Sequence, residues 1–208
     1  MISLDACDLA GWVAELGADA AQLAPWALPP QLAERVLLAG DARLRADPTQ
    51  WRRVGEGVWH ASATVEAGAV IKGPVLIGPG CFIAAGVTLR GGVWLAERVT
   101  LGPGCELKAT LVLAGSALAH FNYVGDSLIG SGVNFEAGAV VANHHNERVD
   151  KRIWVRWADG ALHDTGVTKF GALVGDGCKI GANAVLSPGT VLAAGAVVPR
   201  LGLVAQDA

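Results

Sequence analysis

The sequence predicts an all-β chain folded as a parallel β-helix of hexapeptide repeats, with a small helical cap over residues 1–56. Three observations support this fold class. A bulky aliphatic residue recurs at every sixth position from Val65 onward. Glycine accounts for 28 of the 208 residues, which is typical of a chain rich in tight turns. The repeat is missing from residues 1–56, so we expect the β-helix to occupy residues 57–203.

The six-residue period fixes the expected interior of the β-helix. A short strand and a tight turn fit this period, and three hexapeptides form a coil of about 18 residues that stacks about 4.8 Å from the next. One aliphatic side chain per hexapeptide should point inward, where a charge is not tolerated. The inward positions of the first run are Val65, Ile71, Ile77, Ile83, Leu89, Leu95, Leu101, Leu107 and Leu113, closed by Ala119.

The repeat is interrupted twice. After Ala119 the spacing shortens to five at Val124 and again at Ile129, which indicates a distorted coil. The register then breaks over residues 144–171 and resumes at Val174. The intervening segment predicts a hairpin around an Asp-Gly turn at residues 158–160, which should project from the prism as an arm. Such a segment is either functional or a tolerated surface insertion.

The cap is expected to contain two or three short helices. Leu9, Trp12, Val13 and Leu16 have helical spacing. Leu32, Val36 and Leu37 follow Pro29-Pro30, which suits a first helical turn. Because an open first coil would expose apolar interior and strand edges, we expect these helices to cover it.

Composition excludes several classes of function. The 16 basic and 19 acidic residues give a net charge of −3, so no global field would attract nucleic acid or an anionic membrane. The four cysteines show no CxxC spacing, and the sequence carries no signal-peptide pattern. No apolar run approaches the roughly 18 residues that suggest a membrane span. We therefore expect a soluble protein of the reducing cytoplasm.

Candidate site residues follow from the columns of the repeat. Arg90 and Lys108 each follow an inward leucine, and their 18-residue separation should stack them one coil apart on the same face. Two stacked cations repel unless an anion lies between them, so the pair indicates a phosphate site, although a solvated surface pair is the alternative. The shortened segment should bring His120 and Tyr123 nearby, with Asn143 on the same face. His120 suits a general base for an attacking amine, or else a structural histidine.

The segment from His120 to Ser127, followed by Ile129-Gly130, Val133-Asn134, Ala137-Gly138 and Asn143, resembles a known family. It is similar to the acetyltransferase domain of the bifunctional bacterial enzyme that makes UDP-N-acetylglucosamine from glucosamine 1-phosphate, within the hexapeptide-repeat acyltransferases. Arg90, Glu106 and Lys108 also fall where that family keeps an arginine, a glutamate and a lysine. The resemblance covers roughly residues 65–200, and it implies a left-handed β-helix.

The resemblance also implies a division of roles. His120 would be the catalytic base, with Glu106 orienting or charge-balancing it, and the backbone N–H of Ala137 would face the oxyanion. The positions implied for the sugar phosphate are Arg90, Lys108, Tyr123 and Asn134, with Lys151, Arg152 or Lys169 replacing a second lysine of the family. The positions implied for acetyl-CoA are Ala137, Asn143, Ala182, Ala194 and Arg200, although the family has a serine at the place of Ala182.

The family's activity gives the expected function of this chain. It is acetyl-CoA-dependent N-acetylation of an amino-sugar phosphate, with glucosamine 1-phosphate converted to N-acetylglucosamine 1-phosphate for UDP-N-acetylglucosamine synthesis. A homotrimer would complete each site between neighbouring prisms. The nucleotidyltransferase half is missing from this sequence, so uridylyl transfer would fall to a separate partner.

Two other interpretations remain. His120, His144 and His145 could supply three nitrogen ligands to zinc, but adjacent residues on a strand point to opposite faces, and we expect no metal. The prism could instead be a non-catalytic regulatory or assembly module, or could acylate another amino sugar or sugar nucleotide. Convergence of the histidine, tyrosine, arginine and lysine side chains would distinguish an enzyme from a scaffold.

Overall fold

The computed structural model describes residues 23–157 and 160–206. Two 3-10 turns, Pro25–Ala27 and Pro29–Gln31, lead into helix α1, Leu32–Ala46. Strands then follow in this order: β1 (Trp51–Val54), β2 (Gly57–His60), β3 (Thr64–Val65), β4 (Val70–Lys72), β5 (Val75–Ile77), β6 (Phe82–Ile83), β7 (Thr88–Leu95), β8 (Thr100–Leu101), β9 (Glu106–Val112), β10 (Ala117–Leu118), β11 (Tyr123–Gly125), β12 (Leu128–Ile129), β13 (Asn134–Phe135), β14 (Val140–Val141), β15 (Trp154–Arg156), β16 (Leu162–Asp164), β17 (Ala172–Val174), β18 (Lys179–Ile180), β19 (Val185–Leu186), β20 (Thr190–Leu192), β21 (Val197–Val198) and β22 (Leu203–Val204).

These strands form the predicted left-handed parallel β-helix, a prism with three faces. The helix face consists of β2, β5, the second halves of β7 and β9, β12, β17 and β20. The Asn134 face is a 7-stranded sheet of β3, β6, β8, β10, β13, β18 and β21. The Arg90 face consists of β4, the first halves of β7 and β9, β11, β14, β19 and β22.

The interior is a stack of buried aliphatic side chains, as the period predicts, but the shortened steps lie elsewhere. Val112 pairs with Leu95, and Leu118 pairs with Leu101, so these residues point inward instead of Leu113 and Ala119. The five-residue steps are therefore Leu107 to Val112 and Val124 to Ile129.

A change at one corner of the prism explains the shortened steps. In β7 two residues, Gly91 and Gly92, turn the corner between Arg90 and Val93. In the next two coils a single residue turns the same corner, Ala109 and then Asp126, each with φ 46°. Removing one residue per corner shortens each of these coils by one.

A second apolar layer covers the helix face. Its outward residues form a continuous column along the prism: Val58, Leu76, Trp94, Leu111, Leu128, Leu173 and Val191. Leu28, Leu32, Val36 and Ala39 of the helical segment pack against this column. The approach is close, since a Cβ atom on Gly92 would lie 2.4 Å from the backbone nitrogen of Ala33.

In the part of the chain that the structure describes, the helical segment does not cover the open first coil as expected. The predicted helix after Pro29-Pro30 is present as α1, but it lies along the helix face. The β1–β2 hairpin lies at the first coil instead, where Trp59 pairs with Ile77 at the start of the interior stack. The guanidinium of Arg52 lies 5.8 Å from the Trp59 ring. The predicted helix containing Leu9, Trp12, Val13 and Leu16 falls outside the described residues.

The predicted hairpin is present as the antiparallel pair β15–β16, and residues 158–159 of its turn fall outside the described part. The hairpin does not project into solvent. Ile153, Val155 and Phe170 are fully buried in the same cluster as α1, and Trp26 contacts the Phe170 ring edge-on at 6.3 Å. The segment 144–171 thus covers the helix face beyond α1, because its apolar side chains extend the second layer.

No helix within the described residues has the length and apolar character needed to cross a membrane.

Candidate active site

His120 lies at the corner between the Asn134 face and the Arg90 face, with an exposed side chain. The backbone N–H of Gly138 donates to the carbonyl oxygen of His120 at 2.8 Å, which places Ala137 beside His120 in the next coil. The inward residue that precedes His120 is Leu118, and not Ala119 as the period predicted.

The backbone N–H of Ala137 is open toward this corner. In two other coils the equivalent N–H groups, of Ala85 and Ala182, each donate to a glutamate carboxylate at 2.8 Å. Those carboxylates belong to Glu66 and Glu136, which lie in the coil before the donor. In the coil before Ala137 the equivalent residue is Ala119, which has no carboxylate. Ala137 N–H has no acceptor among the residues that the structure describes. An N–H donor is therefore available one coil from the imidazole.

The turn after His120 has an unusual conformation. Phe121 adopts φ 51° and is 71% exposed, at a corner where neighbouring coils place Gly104 and Gly138. A bulky residue with positive φ is uncommon and marks a constrained position. Asn122, for which no role was predicted, is buried and donates from Nδ2 to the carbonyl oxygen of Glu136 at 2.8 Å. This buried amide fixes the turn that presents His120.

Arg90 and Lys108 stack in adjacent coils of the Arg90 face, as predicted. Each is paired with a carboxylate of the same chain. Arg90 Nε donates to Glu106 Oε1 at 2.7 Å, and Lys108 Nζ donates to the two oxygens of Asp126 at 2.8 and 2.7 Å. The charges of the two cations are thus balanced internally, so their stacking alone does not require a bound anion.

The two ion pairs differ in exposure. The Arg90 and Glu106 side chains are 39% and 37% exposed, whereas those of Lys108 and Asp126 are 22% and 7% exposed. Solvated pairs open at little cost in free energy, and buried pairs resist separation. Arg90 is therefore the cation that can leave its carboxylate for a ligand.

Glu106 does not contact His120 as the resemblance implied. It pairs in register with Tyr123 and bonds Arg90, because its column lies on the face and His120 lies at the corner. The Tyr123 hydroxyl donates to Asn143 Oδ1 at 3.4 Å. Burial raises the pKa of Tyr123, so its hydroxyl keeps its proton at neutral pH.

Asp126 also receives a hydrogen bond from Asn143 Nδ2. Gly125 makes this arrangement possible, because a Cβ atom there would lie 2.7 Å from the Tyr123 hydroxyl and 2.7 Å from the Asn143 amide nitrogen. Asp126 lies within the motif from His120 to Ser127, but its place in a polar cluster was not predicted.

The remaining predicted residues lie apart from the Arg90 face. Asn134 and Arg200 line a cavity of about 360 Å³ on the Asn134 face, together with Glu136, Lys179 and Val197. Within one chain the structure therefore does not bring Asn134 to Arg90, Lys108 and Tyr123.

Of the residues implied for acetyl-CoA, Arg200 and the backbone N–H of Ala182 meet at Glu136 on the Asn134 face. Arg200 bonds both carboxylate oxygens of Glu136, at 2.7 and 2.9 Å, and these bonds lower the pKa of Glu136 to about 2. The N–H of Ala182 donates to the same carboxylate. Ala194 lies in an exposed turn.

Lys151 lies in the 144–171 segment, where its Nζ is 3.4 Å from His144 Nε2. The structure gives it no contact with the Arg90 face. Among the residues described, no group of three or more His, Cys, Asp or Glu side chains is arranged to hold a metal ion.

Comparison with known proteins finds relatives of the kind that the motif indicates, although no family model matches the chain. The chain is 35% identical over 94 residues to a bifunctional sugar-1-phosphate nucleotidylyltransferase/acetyltransferase of Sulfurisphaera tokodaii, covering 42% of this chain and 23% of that protein. It resembles bifunctional sugar nucleotidyltransferase–acetyltransferases. It is also 32% identical over 90 residues to the bifunctional protein GlmU of Methanococcus vannielii, covering 43% of this chain and 21% of that one. For GlmU of Cellvibrio japonicus the identity is 31% over 93 residues, with 45% and 16% covered.

The chain therefore matches less than a quarter of the length of these relatives. Among solved structures, an Arabidopsis UDP-N-acetylglucosamine acyltransferase shares 20% identity over 68% of this chain and 57% of its own, with a TM-score of 0.32. That score is too low to define a common fold.

Proposed function

We propose that the chain transfers the acetyl group of acetyl-CoA to the amine of an amino-sugar phosphate, with glucosamine 1-phosphate as the first acceptor to test. The observation that carries the proposal is the placement of the His120 imidazole and the open Ala137 N–H in successive coils of one corner. A base and an oxyanion donor on one exposed edge are the two groups that acyl transfer to an amine needs.

In the proposed reaction the acceptor ammonium first loses one proton to solvent, and the neutral amine then attacks the thioester carbonyl carbon and forms the C–N bond. His120 takes a proton from that nitrogen, and Ala137 N–H hydrogen-bonds the carbonyl oxygen as it gains negative charge. The C–S bond then breaks, and the thiolate of CoA leaves with the proton held by His120. The products are the N-acetylated sugar phosphate and CoA with a free thiol.

The Arg90 face supports an acceptor that carries both charges. An amino-sugar phosphate is a zwitterion, and Arg90 and Glu106 present one cation and one carboxylate in an accessible pair. When the pair opens, Arg90 can bind the phosphate in a bidentate manner and Glu106 can receive the ammonium. A face with two unpaired cations would instead favour any anion.

The assembly in the proposal is a homotrimer. The helix face is covered by α1 and the 144–171 segment, whereas the described residues leave the other two faces open. Those faces and their shared corner expose Phe82, Phe121, Val197, Leu201 and Leu203. Packing of neighbouring prisms would bury these side chains and bring the Asn134 face of one chain to the Arg90 face of another.

Cellular context completes the proposal. A cytoplasmic location agrees with the free thiols of Cys81, Cys105 and Cys178 in the described residues. Activation of the acetylated sugar by a nucleotide would then be the task of a separate nucleotidyltransferase.

The test is release of free thiol from acetyl-CoA, followed with a thiol reagent, in the presence of glucosamine 1-phosphate, glucosamine 6-phosphate, unphosphorylated glucosamine and UDP-linked amino sugars. We expect acceptor-dependent release that requires both the amine and the phosphate. If the folded protein releases no thiol with any of these acceptors, the chain is a non-catalytic module.

A further inference from the structure

Phe121 has a backbone conformation that favours glycine. It lies at the corner between the Asn134 face and the Arg90 face, where Phe121 N–H donates to the carbonyl oxygen of Pro103 at 3.0 Å. Gly104 and Gly138 occupy this corner in the coils on either side, both with φ 73°. A phenylalanine at φ 51° is strained where glycine is not. Its side chain is 71% exposed, so burial in the core does not offset the strain.

The Phe121 ring lies against the preceding coil. Gly104 leaves room for it, because a Cβ atom on Gly104 would be 2.8 Å from Cε1 of the ring. Arg90 reaches the same coil from the coil before it, since its side chain bonds Glu106, two residues after Gly104. The aromatic ring and the accessible guanidinium therefore flank one short stretch of the outer surface, from Gly104 to Glu106.

His120 adjoins this stretch of surface. The centroid of its imidazole is 6.5 Å from that of the Phe121 ring, with 42° between the ring planes. The open N–H of Ala137 lies on the opposite side of His120, in the following coil. The Phe121 ring is thus on the Arg90 side of the imidazole, and the oxyanion donor is on the other side.

This inference rests on the proposed function, in which His120 is the base and Arg90 binds the acceptor phosphate. We propose that Phe121 is a specificity-determining residue whose ring binds the apolar face of the acceptor sugar. A sugar with its amine at His120 and its phosphate at Arg90 must cross the stretch from Gly104 to Glu106. The C–H bonds on one face of a sugar ring carry partial positive charge, and the face of an aromatic ring is electron-rich, so the two attract each other.

The contact also gives a reason for an exposed aromatic side chain at a strained position. In the proposed trimer this corner lines the cleft between two prisms, where the bound sugar would cover the ring. Glycine at this corner would fit the backbone better but would offer the sugar no surface.

Phe121→Gly tests the contact, since it introduces the residue that the neighbouring coils have at this corner. The variant relieves the positive φ and opens no cavity in the core, so its Tm should not fall. Its KM for the acceptor, glucosamine 1-phosphate or glucosamine 6-phosphate, should rise about tenfold. The kcat and the KM for acetyl-CoA should stay nearly unchanged, as expected for loss of a contact made equally in ground state and transition state. Phe121→Tyr keeps the ring and should keep the unaltered KM.

Leu201→Gly is the matched control. Leu201 occupies the same corner three coils further along the prism, with φ 60° and a side chain that is 79% exposed. This variant should also keep its Tm, and its KM for the acceptor should not change. Calorimetric titration with inorganic phosphate provides a second control. Its affinity should be equal in the unaltered chain and in Phe121→Gly, because phosphate alone has no sugar ring.

Several results would overturn the inference and leave the proposed function standing. One is an unchanged acceptor KM in Phe121→Gly, measured with an unaltered chain that acetylates this acceptor. Others are a rise in the KM for acetyl-CoA alone, or loss of the trimer mass in light scattering, since each assigns the ring to a different contact. A fall in kcat alone would make Phe121 a residue that positions His120. If the unaltered chain acetylates no amino-sugar phosphate, the proposed function fails and the inference fails with it.

Discussion

At the scale of single residues, the site combines an exposed imidazole with charges that are already paired. The repeat predicted which side chains share a column, because register depends only on the period. It could not predict that Glu106 bonds Arg90 or that Asp126 bonds Lys108. Such pairings depend on side-chain direction around a corner, and the conformation of that corner changes from one coil to the next.

His120→Ala should fold normally and lose about two to four orders of magnitude in kcat, the range for loss of a positioned general base. The side chain is exposed, so its truncation leaves no cavity in the core. A general base acts only in its neutral form, so the unaltered rate should fall at acid pH.

The pH–rate profile of the variant provides the check. His120→Ala should lack the acid inflection and show slow turnover that rises only as the acceptor amine deprotonates. His144→Ala serves as the control and should keep the inflection. Near-normal turnover and an unchanged profile in His120→Ala would assign the base to another residue.

Arg90→Ala should raise the KM for the acceptor about tenfold or more and leave the KM for acetyl-CoA nearly unchanged. The variant removes a charge-assisted contact to one substrate only. Steady-state kinetics with each substrate varied in turn measures both constants. Arg98→Ala, which removes an exposed arginine at another corner, is the control. Equal increases in both KM values would mean that Arg90 does not face the acceptor.

At the scale of elements, the prism depends on a second apolar layer that two separate segments supply. Helix α1 covers one part of the outer column, and the 144–171 segment covers another, with Trp26 and Phe170 in contact. The spacing of Leu32, Val36 and Leu37 predicted a helix, of which Leu32 and Val36 are buried and Leu37 is 44% exposed. The spacing could not identify what the buried face packs against, so the helix was expected at the open coil.

Leu32→Ala should lower the free energy of unfolding by about 2–5 kcal/mol, and Phe170→Ala by about 3–5 kcal/mol, since both side chains are fully buried. Chemical denaturation followed by circular dichroism measures both values. Leu38→Ala is the control on the same helix, because Leu38 is 63% exposed and should cost under about 0.5 kcal/mol. Equal losses in all three variants would contradict a specific cover on this face.

The inward positions of the β-helix show where prediction from the sequence was reliable. An inward position tolerates only an apolar side chain of suitable size, so the six-residue period identified almost all of them. It failed where two neighbouring residues both qualify: Val112 and Leu113 are both buried, one in the prism and one under the second layer. Hydrophobicity alone does not show on which side of a strand such a residue lies.

At the scale of the whole molecule, the two faces that the described residues leave uncovered predict self-association. Light scattering at micromolar concentration should give the mass of a trimer, three times the 21.3 kDa of the chain. A charge at an exposed apolar position of these faces, as in Val197→Asp, should weaken association and raise the KM for acetyl-CoA. Leu38→Asp on the covered side should do neither. A stable monomer with full activity would refute the shared site.

Helix α1 and the 144–171 segment, which cover the helix face, also constrain how such a chain can change in length during evolution. Most solenoids gain or lose coils easily, because each coil contacts only its neighbours. Here an added coil would place one more apolar outward rung on the helix face, with no part of α1 or of the 144–171 segment to shield it. The exposed apolar side chain would favour aggregation. Loss of a coil would instead force α1 and the 144–171 segment into a steric clash. The number of coils in this prism is thus set from outside, by segments that are not themselves repeats.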